Sequence, residues 1–231
     1  MNNYDDRYQY PIVNAGQPHL LCELLIDTSS SMTPSIEAVN NALRTFKEAL
    51  DANLRARNCV EVCLIPFNST VEATPFMPCE YLEFPALTAQ GCTSLHAALD
   101  KALEKDRERK DLLTNAGTAH YRSWLFVLSD GMPTDSDNGQ ITRLHDAQDR
   151  GSMTVFGVGI GESADREMLA SLSTDGAVIT ATRENFEGAF KWLSDSLVKV
   201  AQSRPGEKLM LNNPAEPQYG GLQYNQIPVR G

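Results

Sequence analysis

Blocks of apolar residues along this chain switch repeatedly between a strand-like and a helix-like period. Leu20-Leu21-Cys22-Glu23-Leu24-Leu25-Ile26 is a nearly unbroken apolar run, the pattern of a strand buried on both faces. Beyond Asp27 to Pro34, the residues Ile36, Val39, Leu43, Phe46, Leu50 and Leu54 recur at helical spacing and predict a helix over about 35–56. Val60 to Phe67 is the next strand. Val71 to Phe76 follows too closely for a parallel crossover and should form an antiparallel edge strand, where Pro75 and Pro78 are tolerated. A helix over about 94–110 presents Leu95, Ala98, Leu99, Ala102 and Leu103, and its charged second half, Glu104 to Lys110, reads as a solvated face. Strands at 124–129, 154–158 and 178–180 then alternate with helices near 139–150, 164–172 and 184–202. This alternation predicts an α/β fold: a doubly wound, Rossmann-like, mostly parallel sheet with one antiparallel edge strand and helices on both faces.

Composition narrows the picture. The chain has 231 residues and a formal charge of -10, which argues against nucleic acid and anionic membrane surfaces as partners. No apolar stretch is long enough to span a bilayer, and residues 1–8 lack the pattern of a signal peptide, so the expected location is cytoplasmic. The five cysteines (Cys22, Cys59, Cys63, Cys79 and Cys92) include no CxxC pair and read as buried free thiols. Residues 1–18 form an N-terminal extension carrying three tyrosines, and 19–203 form the domain. Residues 204–231, rich in Pro, Gly, Asn and Gln, form a flexible or docking tail.

Candidate chemistry concentrates at one edge of the sheet. Asp27, Ser29 and Ser31 sit on the turn that leaves the first strand, where open α/β sheets bind ligands. Thr93 lies in the loop before the 94–110 helix, and Asp130 ends the 124–129 strand. A hard-oxygen set of this kind suits a small divalent cation. Asp27 with its serines could instead be a simple helix cap. Asp135 and Asp137 read as solvated loop acids, and His96 as a helix-surface residue. Glu23, about 13 Å from Asp27 along the strand, reads as half of a structural ion pair.

The pattern Asp-x-Ser-x-Ser…Thr…Asp, placed in this order on these elements, resembles the metal-ion-dependent adhesion site of von Willebrand factor type A (vWA) domains. The resemblance implies that Asp27, Ser29, Ser31, Thr93 and Asp130 surround the metal and that a partner's Asp or Glu completes it. The stretches 36–43, 87–95, 130–135 and 190–196 resemble the bacterial TerY-like (YegL-like) branch linked to tellurite and stress resistance. That likeness implies a non-enzymatic adaptor working beside a kinase and a phosphatase in metal-stress or phage-defence systems. Hydroxyl ligands lean toward Mg2+, with Mn2+ and Ca2+ left open. A metal-assisted hydrolase or phosphotransferase is the competing reading, although neither a GxSxG elbow nor a GxxxxGK[ST] loop is present. A third reading has Glu207 or Glu216 of the tail occupying the metal in cis.

Overall fold

The computed structural model describes residues 9–226. The predicted alternation folds into one seven-stranded sheet in the order β3-β2-β1-β4-β5-β6-β7. These strands are β1 (Leu20–Asp27), β2 (Val60–Phe67), β3 (Met77–Pro78), β4 (Ser123–Ser129), β5 (Met153–Ile160), β6 (Ala177–Ala181) and β7 (Gln223–Gln226). β2, β1, β4, β5 and β6 are mutually parallel, with Leu24 of β1 in register with Leu64 of β2 and Phe126 of β4. The strand order turns back on itself at β1, which lies between β2 and β4. The loops leaving β1 and β4 therefore open a crevice at their carboxyl ends.

Alternation along β1 sorts the core into two layers. Leu20, Cys22, Leu24 and Ile26 face α1 (Ile36–Ala52) and α6 (Glu187–Ala201), where Phe46, Phe126 and Phe190 pack as tilted and edge-on rings. Leu21 and Leu25 face the opposite layer. Leu99 of α3 (Leu95–Asn115), Leu144 of α4 (Gln140–Asp149) and Leu169 of α5 (Arg166–Ser171) pack there. The long helix expected over 35–56 breaks at Asn53, whose side chain accepts from the amides of Arg55 and Ala56 and starts α2 (Leu54–Cys59).

The expected antiparallel edge beside β2 is present: Val71 bridges Phe67, the Glu72 and Thr74 amides donate to the Pro66 and Leu64 carbonyls, and the regular ladder falls on Met77 and Pro78, opposite Val62 and Glu61. The other edge is antiparallel as well: β7, in the tail, pairs with β6. The tail reaches that edge by docking on α6. Trp192 Nε1 donates to the Asn212 carbonyl at 2.8 Å, and Tyr219 is fully buried with Lys191 Nζ 5.4 Å from its ring centre. Gly188 is obligatory beneath it, because a Cβ there would collide with the Tyr219 carbonyl. Of the N-terminal tyrosines, Tyr10 stacks on Tyr81 at 5.3 Å, while Tyr4 and Tyr8 lie outside the described residues. No helix among the described residues is long and apolar enough to cross a membrane. Cys22, Cys59, Cys63 and Cys79 are buried free thiols, whereas Cys92 is exposed.

The charged half of α3 departs most from expectation. Lys105, Asp106, Arg109 and Lys110 are buried, and the helix runs on to Asn115. Their spacing continues the stripe of Leu95, Ala98, Leu99 and Ala102, so the same helix face that packs against the sheet goes on presenting charges to it. Arg109 and Lys110 find partners there, while Lys105 pairs with Glu108 and Asp106 with Lys110 along the helix. Arg109 clamps Glu61 of β2 through Nε at 2.6 Å and Nη2 at 3.0 Å, and donates to the Tyr10 carbonyl. His19 Nδ1 closes the triad on Glu61 at 2.6 Å. These partners hold the Glu61 carboxyl below its ordinary value against the opposing effect of burial. Lys110 Nζ binds Asp106, Ser123 and both Ser152 oxygens.

Glu23 is the exception to the pairing. It is fully buried beside Asp106, and neither of its oxygens nor Asp106 Oδ1 has a hydrogen-bond partner among the described residues. Burial, reinforced by the Asp106 charge, pushes its carboxyl well above the ordinary range despite Lys110. Glu23 therefore forms no ion pair of the expected kind: the charges beside it are Asp106, which raises its carboxyl, and Lys110, which lowers it.

Replacing Arg109 with Leu should strand Glu61 in the core and lower unfolding stability by about 3–5 kcal/mol, read from denaturant midpoints. Because the raised Glu23 carboxyl favours the folded state only while protonated, stability should fall as pH rises above the ordinary carboxylate range toward the folded value. Glu23→Gln removes that titration. Thermal scans from pH 5 to pH 9 should show the variant gaining on the parent as pH increases.

Candidate metal centre

Three loops at the carboxyl edge of the sheet meet because each is tied to the next. After β1 the Thr28 amide donates to the Phe67 carbonyl at 2.8 Å, and the Ser29 amide turns back onto Asp27 Oδ1 at 2.8 Å. A short 3-10 turn, Ser30–Met32, follows and is pinned by the fully buried Met32. Gln90 donates to the Thr28 carbonyl and Ser30 to the Gly91 carbonyl, which draws the loop before α3 against this turn. Gly91 has φ +73, and a Cβ there would sit 2.5 Å from Ser69 Oγ, which accepts from the Cys92 amide. The third loop, after β4, is held by Thr134: its amide donates to the Thr93 carbonyl at 2.8 Å, and its hydroxyl accepts from the Thr93 amide at 3.1 Å.

All five sequence-predicted residues come together here. Ser29 Oγ lies 2.9 Å from Ser31 Oγ, and Ser31 Oγ donates to Asp130 Oδ1 at 2.6 Å. Asp27 Oδ2 accepts from Ser129 Oγ at 2.6 Å. Ser31 Oγ and Thr93 Oγ1 both border Gly131, at 3.6 and 4.0 Å from where its Cβ would be. Asp27, Asp130, Ser29 and Thr93 are buried, and Ser31 is exposed at the mouth. Among the described residues no lysine or arginine pairs with either acid. Burial therefore pushes the Asp27 carboxyl up, the bonds from Ser129 and Ser29 offset part of that rise, and the Asp130 charge adds to it.

Asp130 Oδ2 is buried without a hydrogen-bond partner among the described residues. That orphaned oxygen, beside three hydroxyls and a second carboxylate, fits a hard divalent cation, which would satisfy the oxygen and offset the charge repulsion. Asp27, Ser29, Ser31, Thr93 and Asp130 are the residues that would hold it. No group of three or more His, Cys, Asp or Glu side chains suited to a metal occurs among the described residues, so three of these five donors are hydroxyls.

The surrounding residues correct two expectations. Asp135 is half-buried and caps α3, accepting from the amides of His96 at 3.2 Å and Ala97 at 2.9 Å, and His96 is buried with Nδ1 3.0 Å from Asp135. Asp137 is exposed and accepts from the Ile141 amide at the start of α4. The supporting roles of Ser129, Thr134 and Ser69 escape a reading by element, because each acts across a loop whose path the sequence does not show. A hydroxyl ending an otherwise apolar strand was the available clue to Ser129.

A model of the von Willebrand factor type A domain matches residues 23–177. This chain belongs to the vWA domain family. No curated protein matches it in sequence. Among solved structures, the vWA chain resembles a von Willebrand factor type A protein from Catenulispora acidiphila (15% identity, TM-score 0.57, covering 78% of this chain and 43% of that one). It also resembles the vWF domain of the pilus tip protein Mfa5 from Porphyromonas gingivalis (14% identity, TM-score 0.60, covering 83% and 99%). A third is proximal thread matrix protein 1 from the mussel byssus, solved with a zinc-occupied MIDAS motif (16% identity, TM-score 0.56, covering 78% and 48%). At these identities the likeness is one of fold. The chain spans less than half of the first and third of these relatives.

Ser129→Ala should leave Asp27 Oδ2 buried without a donor. We expect a loss of about 1–3 kcal/mol in metal-free buffer, measured by denaturant unfolding.

Proposed function

We propose that this vWA domain is a metal-dependent protein-binding adaptor, in which Asp27, Ser29, Ser31, Thr93 and Asp130 hold a divalent cation whose open position takes a carboxylate from a partner. The single observation that carries this reading is the buried Asp130 Oδ2, without a hydrogen-bond partner among the described residues, on a carboxylate whose Oδ1 ends a chain of serine hydroxyls. Three neutral hydroxyls and two carboxylates leave a hexacoordinate ion short of a ligand, and Mg2+ keeps exchangeable water in such places. An incoming Asp or Glu replaces that water with a charge-assisted contact. Mg2+ is the cation we favour, with Mn2+ and Ca2+ as alternatives.

The stretches resembling TerY-like proteins support a place in bacterial tellurite, metal-stress or phage-defence systems, with a cytoplasmic kinase or phosphatase as partner. The module is read as non-enzymatic. Self-occupancy by the tail finds no support: the Glu207 carboxylate accepts from the Arg204 amide, and the Glu216 carboxylate from Asn213 and Gln218.

The test pairs two readouts on the full chain. Excess MgCl2 should raise thermal stability, by about 2.7 kcal/mol at a hundredfold excess over Kd, and Asp130→Ala should abolish the rise. A pull-down from native lysate should retain specific proteins in Mg2+ and release them in EDTA or with Asp27→Ala. Retention indifferent to EDTA and to Asp27 would overturn the adaptor reading. Metal-dependent phosphatase or ATPase turnover lost in Asp27→Ala would replace it with the hydrolase reading.

A further inference from the structure

A cleft of about 650 Å³ opens at the same carboxyl edge of the sheet, beside the metal centre. Its walls are the loop after β5, the end of β6 with the loop that follows it, and Gly221 and Gln223 of the docked tail. It shares a wall with the metal turn, because Ser163, which lines it, donates from Oγ to the Asp130 carbonyl at 2.9 Å. We propose that this cleft is a carboxylate-binding subsite that takes an acidic side chain of a peptide segment.

Three donors point to an anion. Thr180 lines the cleft and is 6% exposed, and its Oγ1 is buried with no hydrogen-bond partner among the described residues. A hydroxyl left that way in a strand is costly, and a ligand acceptor would satisfy it. Arg166 and Arg183 line the same space, and neither guanidinium makes a hydrogen bond or an ion pair within 4 Å with a described residue, Arg183 acting on Glu184 only as a nearby charge. Two acids also face it. Glu184 is committed locally to the Thr182 hydroxyl and its own backbone amide, with Arg183 close enough to lower it further. Glu162 remains, and it can accept a backbone N–H of a bound peptide.

This balance decides the ligand. A planar monoanionic carboxylate matches the fork of a guanidinium. A phosphate dianion would face Glu162 and Glu184 in a chain whose formal charge is already -10. Because the cleft adjoins the metal turn, one extended acidic segment can reach both. That continuity rests on the metal reading above, whereas the subsite itself does not.

The test uses the full ¹⁵N-labelled chain in EDTA, so that no metal contributes, with hexaglutamate peptide as the probe and inorganic phosphate as the competitor. Hexaglutamate should shift the amide signals of Gly161, Thr180, Asn185 and Gln223. The double variant Arg166→Gln/Arg183→Gln should bind about five- to tenfold more weakly, while Arg150→Gln, which removes a cation at the opposite edge of the sheet, should not. Thr180→Val, which keeps the shape, should weaken binding about fivefold. Asp27→Ala should bind hexaglutamate normally in EDTA and lose only the gain that Mg2+ adds. Shifts centred elsewhere, or equal losses in the Arg150 and double variants, would overturn the subsite. So would phosphate shifting these signals where hexaglutamate does not. A Mg2+-dependent gain lost in Asp27→Ala but untouched by the double variant would leave the metal reading standing and remove the cleft.

Discussion

Two carboxylates, Asp27 and Asp130, are buried next to each other at the ends of neighbouring parallel strands, and most of the local structure can be understood as the means of tolerating them. Like charges in a poorly hydrated site raise each other's energy, and burial raises both. The chain answers with neutral donors: Ser129 and the Ser29 amide on Asp27, Ser31 on Asp130. These bonds fix the orientation of the acids and leave Asp130 Oδ2 unsatisfied. A cation would convert the repulsion into an attraction that organises the edge.

The same edge is braced from below. α3 begins beside Thr93 and ends beyond Lys110, so a helix whose first turn borders the metal turn is anchored at its far end by the Arg109–Glu61–His19 triad and by Lys110. Apolar residues could fill that space at equal or lower cost, since a buried ion pair is weak evidence for stability. Charges add direction. A bidentate guanidinium accepts only one register of α3 against β2, and register is what places Thr93 and the Asp135-capped helix start.

How much of this was legible in the sequence follows from the range of each interaction. The sheet, its parallel core and the placing of Asp27, Ser29, Ser31, Thr93 and Asp130 at one edge were readable because periodicity and spacing are local signals. They also placed Asp130 at the end of β4 and Thr93 before α3. Most of the misreadings involve partners distant in sequence. Glu104 to Lys110 looks like a solvated run until Glu61, Ser123 and Ser152 are known to face it. Asp135 looks like a loop acid until the start of α3 is known to lie against it. Val71 to Phe76 does run antiparallel along β2, with Glu72 and Thr74 donating to the Pro66 and Leu64 carbonyls, and the regular ladder extends one step further, to Met77 and Pro78.

The tail carries the same lesson into function. Residues 204–226 have the composition of a linker, with too few apolar side chains to form a core of their own. They order because α6 supplies the missing half: Gly188 lets the Tyr219 backbone approach, Trp192 binds the Asn212 carbonyl, and Asn185 Nδ2 binds the Gly220 carbonyl at 3.0 Å. Once docked, the tail turns into β7 and contributes Gly221 and Gln223 to the cleft beside the Asp27–Asp130 edge. A segment that adds little hydrophobic burial can still shape a binding edge, because its backbone pairs with β6 and its few side chains are spent on contacts that set its path.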